Sequence, residues 1–192
     1  KTLDVFYENR KVGTLASAKD YRIAFEYDGE WLESGFSISP LSLPLEKKVF
    51  LPKIDPFEGL FGVFADSLPD GWGRLLVDRM LIQKHTDPHE VDSLYRLAIV
   101  GTSGMGALTY HPCHEEWSEK QTMDYDRIAE QCRQVLLTKE AKDLDELFRL
   151  GGSSGGARPK ILTEVDGEPW ISKFPSTIDA ADIGMQEYLY AQ

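Results

Sequence analysis

Cysteine is scarce in this chain: two residues in 192, Cys113 and Cys132. Two cysteines cannot build a disulfide framework, so a reducing, cytoplasmic compartment is the simplest expectation. Positive charge is scarce as well. With 21 Lys+Arg against 32 Asp+Glu and a formal charge of -11, the chain lacks the electrostatic footprint of a direct nucleic-acid binder. Long apolar runs are missing: none approaches the roughly 18 residues that a membrane span requires, and no membrane association is expected. Internal repeats and low-complexity tracts are absent too. What is present, 42% apolar residues, 11% aromatics and 28% charged residues, is the composition of a globular chain with a sizeable core.

Periodicity divides the chain into strands first and helices after. Leu3, Val5 and Tyr7 alternate with polar neighbours, a turn follows at Asn9-Arg10-Lys11, and Arg22 to Tyr27 alternates again, which predicts a small antiparallel sheet. A proline-punctuated stretch from Ser39 to Pro56 breaks regular structure. Phe57, Leu60, Phe61 and Phe64 then fall at helical spacing, and Leu76, Val77, Met80 and Leu81 mark another helix. Asp87-Pro88-His89-Glu90 has the form of a helix start, with an N-cap, a proline at the first position and a glutamate after it. Leu108 lies in a short strand, and helices are expected over Tyr125–Leu136 and Leu144–Phe148. Ile161–Val165 and Pro169–Phe174 flank Asp166-Gly167, a strong hairpin signal. The fold class is therefore α+β.

The most informative stretch is Gly151-Gly152-Ser153-Ser154-Gly155-Gly156-Ala157-Arg158-Pro159-Lys160, with Lys173 thirteen residues further on. Four glycines in six positions allow backbone N–H groups to turn toward one point, a concavity that attracts an anion. From Arg149 to Lys160 there are three basic residues and no acidic one, so the local field opposes the global charge.

Three familiar motifs fit this stretch poorly. Gly151-Gly152-Ser153-Ser154-Gly155 satisfies the nucleophile-elbow pattern G-x-S-x-G, but a helix precedes it, a strand follows, and every histidine lies at or before His114. Pro159 before Lys160 and Ile161 after it break the Walker pattern. A dinucleotide fingerprint needs a strand before its glycines and a helix after them, the reverse of this order. What remains is a glycine-rich flap leading into a hairpin, as in kinase-like folds that cover nucleotide phosphates. The alternative is a plain mobile loop with both lysines solvated.

If Asp166 and Gly167 occupy the hairpin turn, paired residues sum to 333. Lys160 then faces Lys173, and Leu162 faces Ile171 on the same side. Like charges opposed across a ladder repel, and an anion beside them relieves the repulsion, while Leu162 and Ile171 offer an apolar wall to an adenine. Glu187 lies on the following helix, placed to hold Lys173 in an ion pair.

His111-Pro112-Cys113-His114 offers three potential metal ligands in four residues, with His85 and His89 elsewhere. Pro112 and the lack of a second spaced pair argue against a tetrahedral site, so the stretch reads as a loop and no metal is assigned.

Beyond these local signals, the chain resembles the HipA family, the serine/threonine kinase toxins of bacterial type II toxin–antitoxin modules. The likeness runs through Val5-Phe6-Tyr7-Glu8 with Val12-Gly13-Thr14-Leu15, Phe36-Ser37-Ile38-Ser39-Pro40 and Phe64-Ala65-Asp66-Ser67-Leu68-Pro69-Asp70-Gly71-Trp72. It continues in Gly101-Thr102-Ser103-Gly104-Met105-Gly106-Ala107-Leu108, Gly155-Gly156-Ala157-Arg158-Pro159-Lys160 and Ile171-Ser172-Lys173-Phe174-Pro175. Order and spacing make the set specific.

The resemblance implies a HipA-like N-terminal subdomain over 1–115, a helical connector over 116–150, and over 151–192 the start of a protein-kinase-like N-lobe with flap, hairpin and truncated helix. It implies ATP and Mg as cofactors, with transfer of the γ-phosphate to a protein hydroxyl. Ser153, Ser154, Gly155, Gly156, Ala157, Arg158, Pro159, Lys160 and Lys173 would bind ATP, with Glu187 positioning the lysine. Ser153 aligns best with the family's autophosphorylated serine, and Ser154 is its rival. Related toxins modify an aminoacyl-tRNA synthetase and are restrained by a DNA-binding antitoxin of the HipB type, so DNA would be met only through that partner. The catalytic-loop aspartate and the magnesium-holding aspartate of a kinase C-lobe are absent, and no catalytic residue is assigned within the chain. It is expected to be a piece of a longer kinase, inactive alone. The competing expectation is a non-catalytic binding module that engages an antitoxin or a separate kinase lobe.

Overall fold

The computed structural model describes residues 1–113, 124–137, 143–180 and 182–192. The chain forms two compact units, one of Lys1–Leu68 with His89–Glu116 and one of Pro69–Pro88 with Trp117–Gln192. Residues 69–88, allotted from sequence to the N-terminal subdomain, thus group with the later part of the chain. The expected boundary between 115 and 116 lies outside the described residues.

In the first unit, strands β1 (Thr2–Tyr7), β2 (Arg10–Ser17), β3 (Ile23–Tyr27), β4 (Val49–Phe50) and β5 (Leu108–His111) form one antiparallel sheet in the order β4-β3-β2-β1-β5. Glu8 and Asn9 make the β1–β2 turn with φ of 46° and 64°, the left-handed geometry a two-residue hairpin needs. Alternation puts Leu3, Val5, Leu15 and Phe25 in the core, and an irregularity in the β1–β2 register turns Val12 in with them, beneath Leu94, Leu97 and Ala98 of helix α4 (Ser93–Val100). Trp31 of helix α1 (Gly29–Ser34) completes that core, its indole N–H donating to the Phe36 carbonyl at 2.9 Å.

Two expectations shift. Of the aromatic run, only Gly62–Ala65 is helical (α2), with Phe64 buried and Phe57 left on an exposed turn. Asp87 does not cap a helix: Pro88–Glu90 forms a single 3₁₀ turn, and α4 begins at Asp92, whose carboxylate accepts the Tyr95 N–H at 2.8 Å. Asp87 carries the fuller local signal, with Pro88 and Glu90 behind it, but the buried stripe of Leu94, Leu97 and Ala98 selects the later start.

The second unit holds helices α3 (Gly71–Gln83), α5 (Tyr125–Leu137), α6 (Leu144–Gly151) and α7 (Ile183–Ala191), with hairpin strands β6 (Lys160–Val165) and β7 (Glu168–Lys173). Trp72, Leu76, Val77 and Leu81 of α3, Leu147 and Phe148 of α6, and Ile161 of β6 are buried. The class is α+β. Among the described residues no helix is long and apolar enough to cross a membrane.

Candidate functional site

Helix α6 delivers the chain into the flap, and its last glycines are required by space. A Cβ on Gly151 would stand 2.4 Å from the Lys160 carbonyl oxygen, and one on Gly152 would stand 2.2 Å from the Phe148 ring. Ser154 is buried, its Oγ donating to the Gly151 carbonyl and its N–H reaching the same oxygen at 3.1 Å. Ser153 is half-buried. Gly155, Gly156 and Ala157 form the exposed tip, and Gly156 takes a φ of 98°.

The tip docks on the start of α3. The Gly156 N–H donates to Asp70 Oδ1 at 2.9 Å, and the Gly156 carbonyl accepts from the Trp72 N–H at 3.0 Å. Close packing along this contact excludes side chains: a Cβ on Gly73 would lie 1.6 Å from the Gly152 oxygen. The flap is therefore packed in place, and the glycines serve contact as much as mobility.

Beyond the tip, the buried Pro159 accepts the Phe174 N–H at 2.8 Å, fixing the flap's exit to the end of β7. The hairpin has the register that the turn arithmetic gives, with Lys160 opposite Lys173 and Leu162 opposite Ile171. Asp166 and Gly167 occupy the turn with φ of 53° and 81°. The two ammonium groups part company. Lys160 folds back to donate to the Gly155 carbonyl, while Lys173 Nζ lies 3.3 Å from Glu187 Oε2. Protein groups thus relieve the repulsion that the ladder imposes. Ile171 is half exposed, and Leu162 is partly buried.

Arg158 knits the flap to the segment between the hairpin and α7, and to α7 itself. Its guanidinium contacts Glu187 Oε1 and Asp179 Oδ1, the latter at 2.9 Å. Hydrogen bonding from Lys173, with Arg158 adding to it, holds the Glu187 carboxyl below the ordinary carboxylate range. The Ser176 N–H and then Arg158 do the same for Asp179. Asp179 and Asp70 are the two residues of this constellation that sequence reasoning missed. Asp70 lies 86 positions from its partner, and its only local signal is the run Asp70-Gly71-Trp72-Gly73.

Elsewhere, Cys113 Sγ lies 3.5 Å from His111 Nδ1, and His114 falls outside the described residues. Among the described residues, no three His, Cys, Asp or Glu side chains come together as a metal cage.

A family model described as the HipA N-terminal domain matches residues 3–111. No curated protein matches the chain. The matched span ends before the flap, so the geometry of residues 151–187 stands on its own chemistry.

Proposed function

The chain belongs to the family of HipA N-terminal domains, and on that premise we propose that it carries the phosphate-holding part of a serine/threonine protein kinase toxin. The observation that supports this reading most is the Lys173–Glu187 pair, set at the end of the second strand of a hairpin whose first strand follows the glycine flap. That is the arrangement in which a kinase lysine, held by a helical carboxylate, meets nucleotide phosphates. Lys173 and the flap from Ser153 to Lys160 would hold ATP, with Leu162 and Ile171 beside the base. Among the described residues no cage for Mg forms, so the described part of the site would leave the ion resting on phosphate oxygens.

Bound ATP would supply the phosphoryl group to a protein hydroxyl. The chain's own work is to orient phosphates and neutralise their charge. It carries neither a His-Arg-Asp nor an Asp-Phe-Gly sequence, so the 192 residues alone should transfer no phosphate. In this reading the family's toxin–antitoxin setting brings a DNA-binding antitoxin of the HipB type, a cytoplasmic location and a protein substrate of the aminoacyl-tRNA synthetase class. Ser153 is the better placed site for autophosphorylation, because the Ser154 hydroxyl is buried against Gly151.

A second reading, a binding module without chemistry, draws on the matched span itself, which covers 3–111 and none of the flap. One experiment separates the two. In the complete reading frame, Lys173→Ala should abolish transfer from radiolabelled ATP and growth arrest while antitoxin binding persists. Unchanged transfer and arrest would overturn the kinase reading, and phosphorylation by the purified 192-residue chain would overturn its expected inactivity alone.

A further inference from the structure

Among the described residues, Asp28, Asp70, Asp92, Asp143 and Asp182 stand at helix N-caps, and the carboxylate of Asp70 reaches a backbone amide 86 positions away. Asp28 accepts the Glu30 N–H and Asp92 accepts the Tyr95 N–H, each capping its own helix. Asp70, at the N-cap of α3, makes no side-chain bond to its helix. Its carboxylate instead takes the N–H of Gly156, and the Gly156 carbonyl takes the Trp72 N–H of α3 in return. Helix start and flap tip therefore cap each other, an exchange equivalent to a capping box spread over two segments.

The fit at this clasp is close. Gly71 has a φ of 39°, and a Cβ there would stand 2.5 Å from the Gly156 oxygen. Both Asp70 carboxylate oxygens lie 3.6 Å from where a Cβ on Gly155 would be, so the carboxylate covers the flap tip as well as bonding it. The N–H groups of Gly152 and Ser154 are already bonded to Phe148 and Gly151. The Gly156 amide is directed at an anionic group, and that anion, Asp70, belongs to the protein.

We infer that Asp70 is a built-in anion that holds the flap down and competes with a ligand's phosphate for the Gly156 amide. The competition rests on the phosphate-holding reading of the flap; the clasp does not. A charge-assisted hydrogen bond holds the tip against α3, and the same negative charge opposes an approaching polyphosphate. Loading the flap requires the carboxylate to yield, which makes Asp70 a positioning residue that sets the threshold for binding.

The test uses the 192-residue chain with Asp70→Asn, which keeps size and an acceptor oxygen but removes the charge, and Asp70→Ala, which removes both. Amide hydrogen exchange without ligand reads the clasp. Exchange at Gly156 should rise about tenfold in Asp70→Asn and further in Asp70→Ala, with Leu76 to Leu81 of α3 unchanged as a control on folding. Titration with magnesium-free tripolyphosphate, followed by the flap's amide resonances, reads the competition: both variants should bind several-fold more tightly than the parent. Unaltered exchange at Gly156 in both variants overturns the clasp. Faster exchange with equal or weaker tripolyphosphate binding overturns the competition. If neither parent nor variants bind tripolyphosphate or ATP, the phosphate-holding reading fails and the competition with it, while the exchange data still decide the clasp.

Discussion

Glu187 receives Lys173 on one carboxylate oxygen, at 3.3 Å, and Arg158 on the other. A single side chain on α7 therefore ties the end of β7 to the flap. Its carboxyl is held below its ordinary value of 4.5, first by Lys173 and then by Arg158. A lowered folded-state value means that the contribution is full above pH 4.5 and is lost as pH falls through the folded value. Amide protection across Ile183–Ala191, taken relative to the intrinsic exchange rate at each pH, should fall on acidification below pH 4.5 in the parent chain. In Glu187→Gln that protection should already be low at neutral pH and change little across the window. An equal acid response in the variant would assign the effect to Asp179, which also pairs with Arg158.

Glycine content alone says little about where glycine is needed, and the structure separates the cases. Gly73→Ala sets a methyl group against the Gly152 oxygen, 1.6 Å from its ideal position. Overpacking of this kind typically costs about 1–3 kcal/mol, and backbone on the opposing side makes the upper end the expectation here. Gly29→Ala meets nothing within 4 Å at the start of α1, so better helix propensity should leave stability unchanged or raised by up to about 1 kcal/mol. Urea unfolding of both variants checks the contrast, and equal midpoints would refute it.

The same contrast explains what sequence could and could not disclose. The hairpin at Asp166-Gly167 was legible because turn chemistry is local, and its register followed from the turn alone. Strand β4 was hidden in a proline-rich stretch because Val49–Phe50 is extended only through pairing with β3. Of the site, Lys160, Lys173 and Glu187 lie close enough in sequence for spacing to suggest them. Asp70 and its amide partner are brought together by packing of α3 on α6 through Gly73 and Gly152, and no periodicity encodes that contact.

Tyr27 anchors the first unit through its hydroxyl, which donates to the Leu43 carbonyl at 2.7 Å and accepts the Ile38 N–H at 3.2 Å. The side chain is 4% exposed. Tyr27→Phe leaves the Ile38 N–H without this acceptor, while the Leu43 carbonyl keeps the Ser37 hydroxyl at 2.8 Å. A loss of about 1–2 kcal/mol is expected. Tyr21→Phe, at a residue 93% exposed, should change stability by no more than about 0.5 kcal/mol. Chemical denaturation followed by near-ultraviolet circular dichroism measures both. A neutral Tyr27→Phe would mean that the loop from Ser37 to Leu43 is held by packing and its own hydrogen bonds without the tyrosine hydroxyl.

The two cysteines should differ in reactivity for a reason the core supplies. Cys132 is 1% exposed on α5, and burial pushes its thiol from 9.0 to about 12. Thiolate is the reacting species, so burial lowers its fraction roughly a thousandfold at a given pH. No disulfide engages either residue, and Cys113 is half-buried beside His111. Iodoacetamide at pH 8 should therefore alkylate Cys113 in the native chain and Cys132 only in denaturant. The same shift carries a stability signature. The unfolded thiol ionises from pH 9.0 while the folded one waits until about 12, so the second unit should lose about 1.4 kcal/mol per pH unit within that interval. Cys132→Ala should remove this alkaline slope while costing stability at neutral pH through the space the sulfur leaves. A slope that survives the substitution would place the alkaline sensitivity elsewhere, and native-state alkylation of Cys132 would show that α5 opens far more readily than its packing implies.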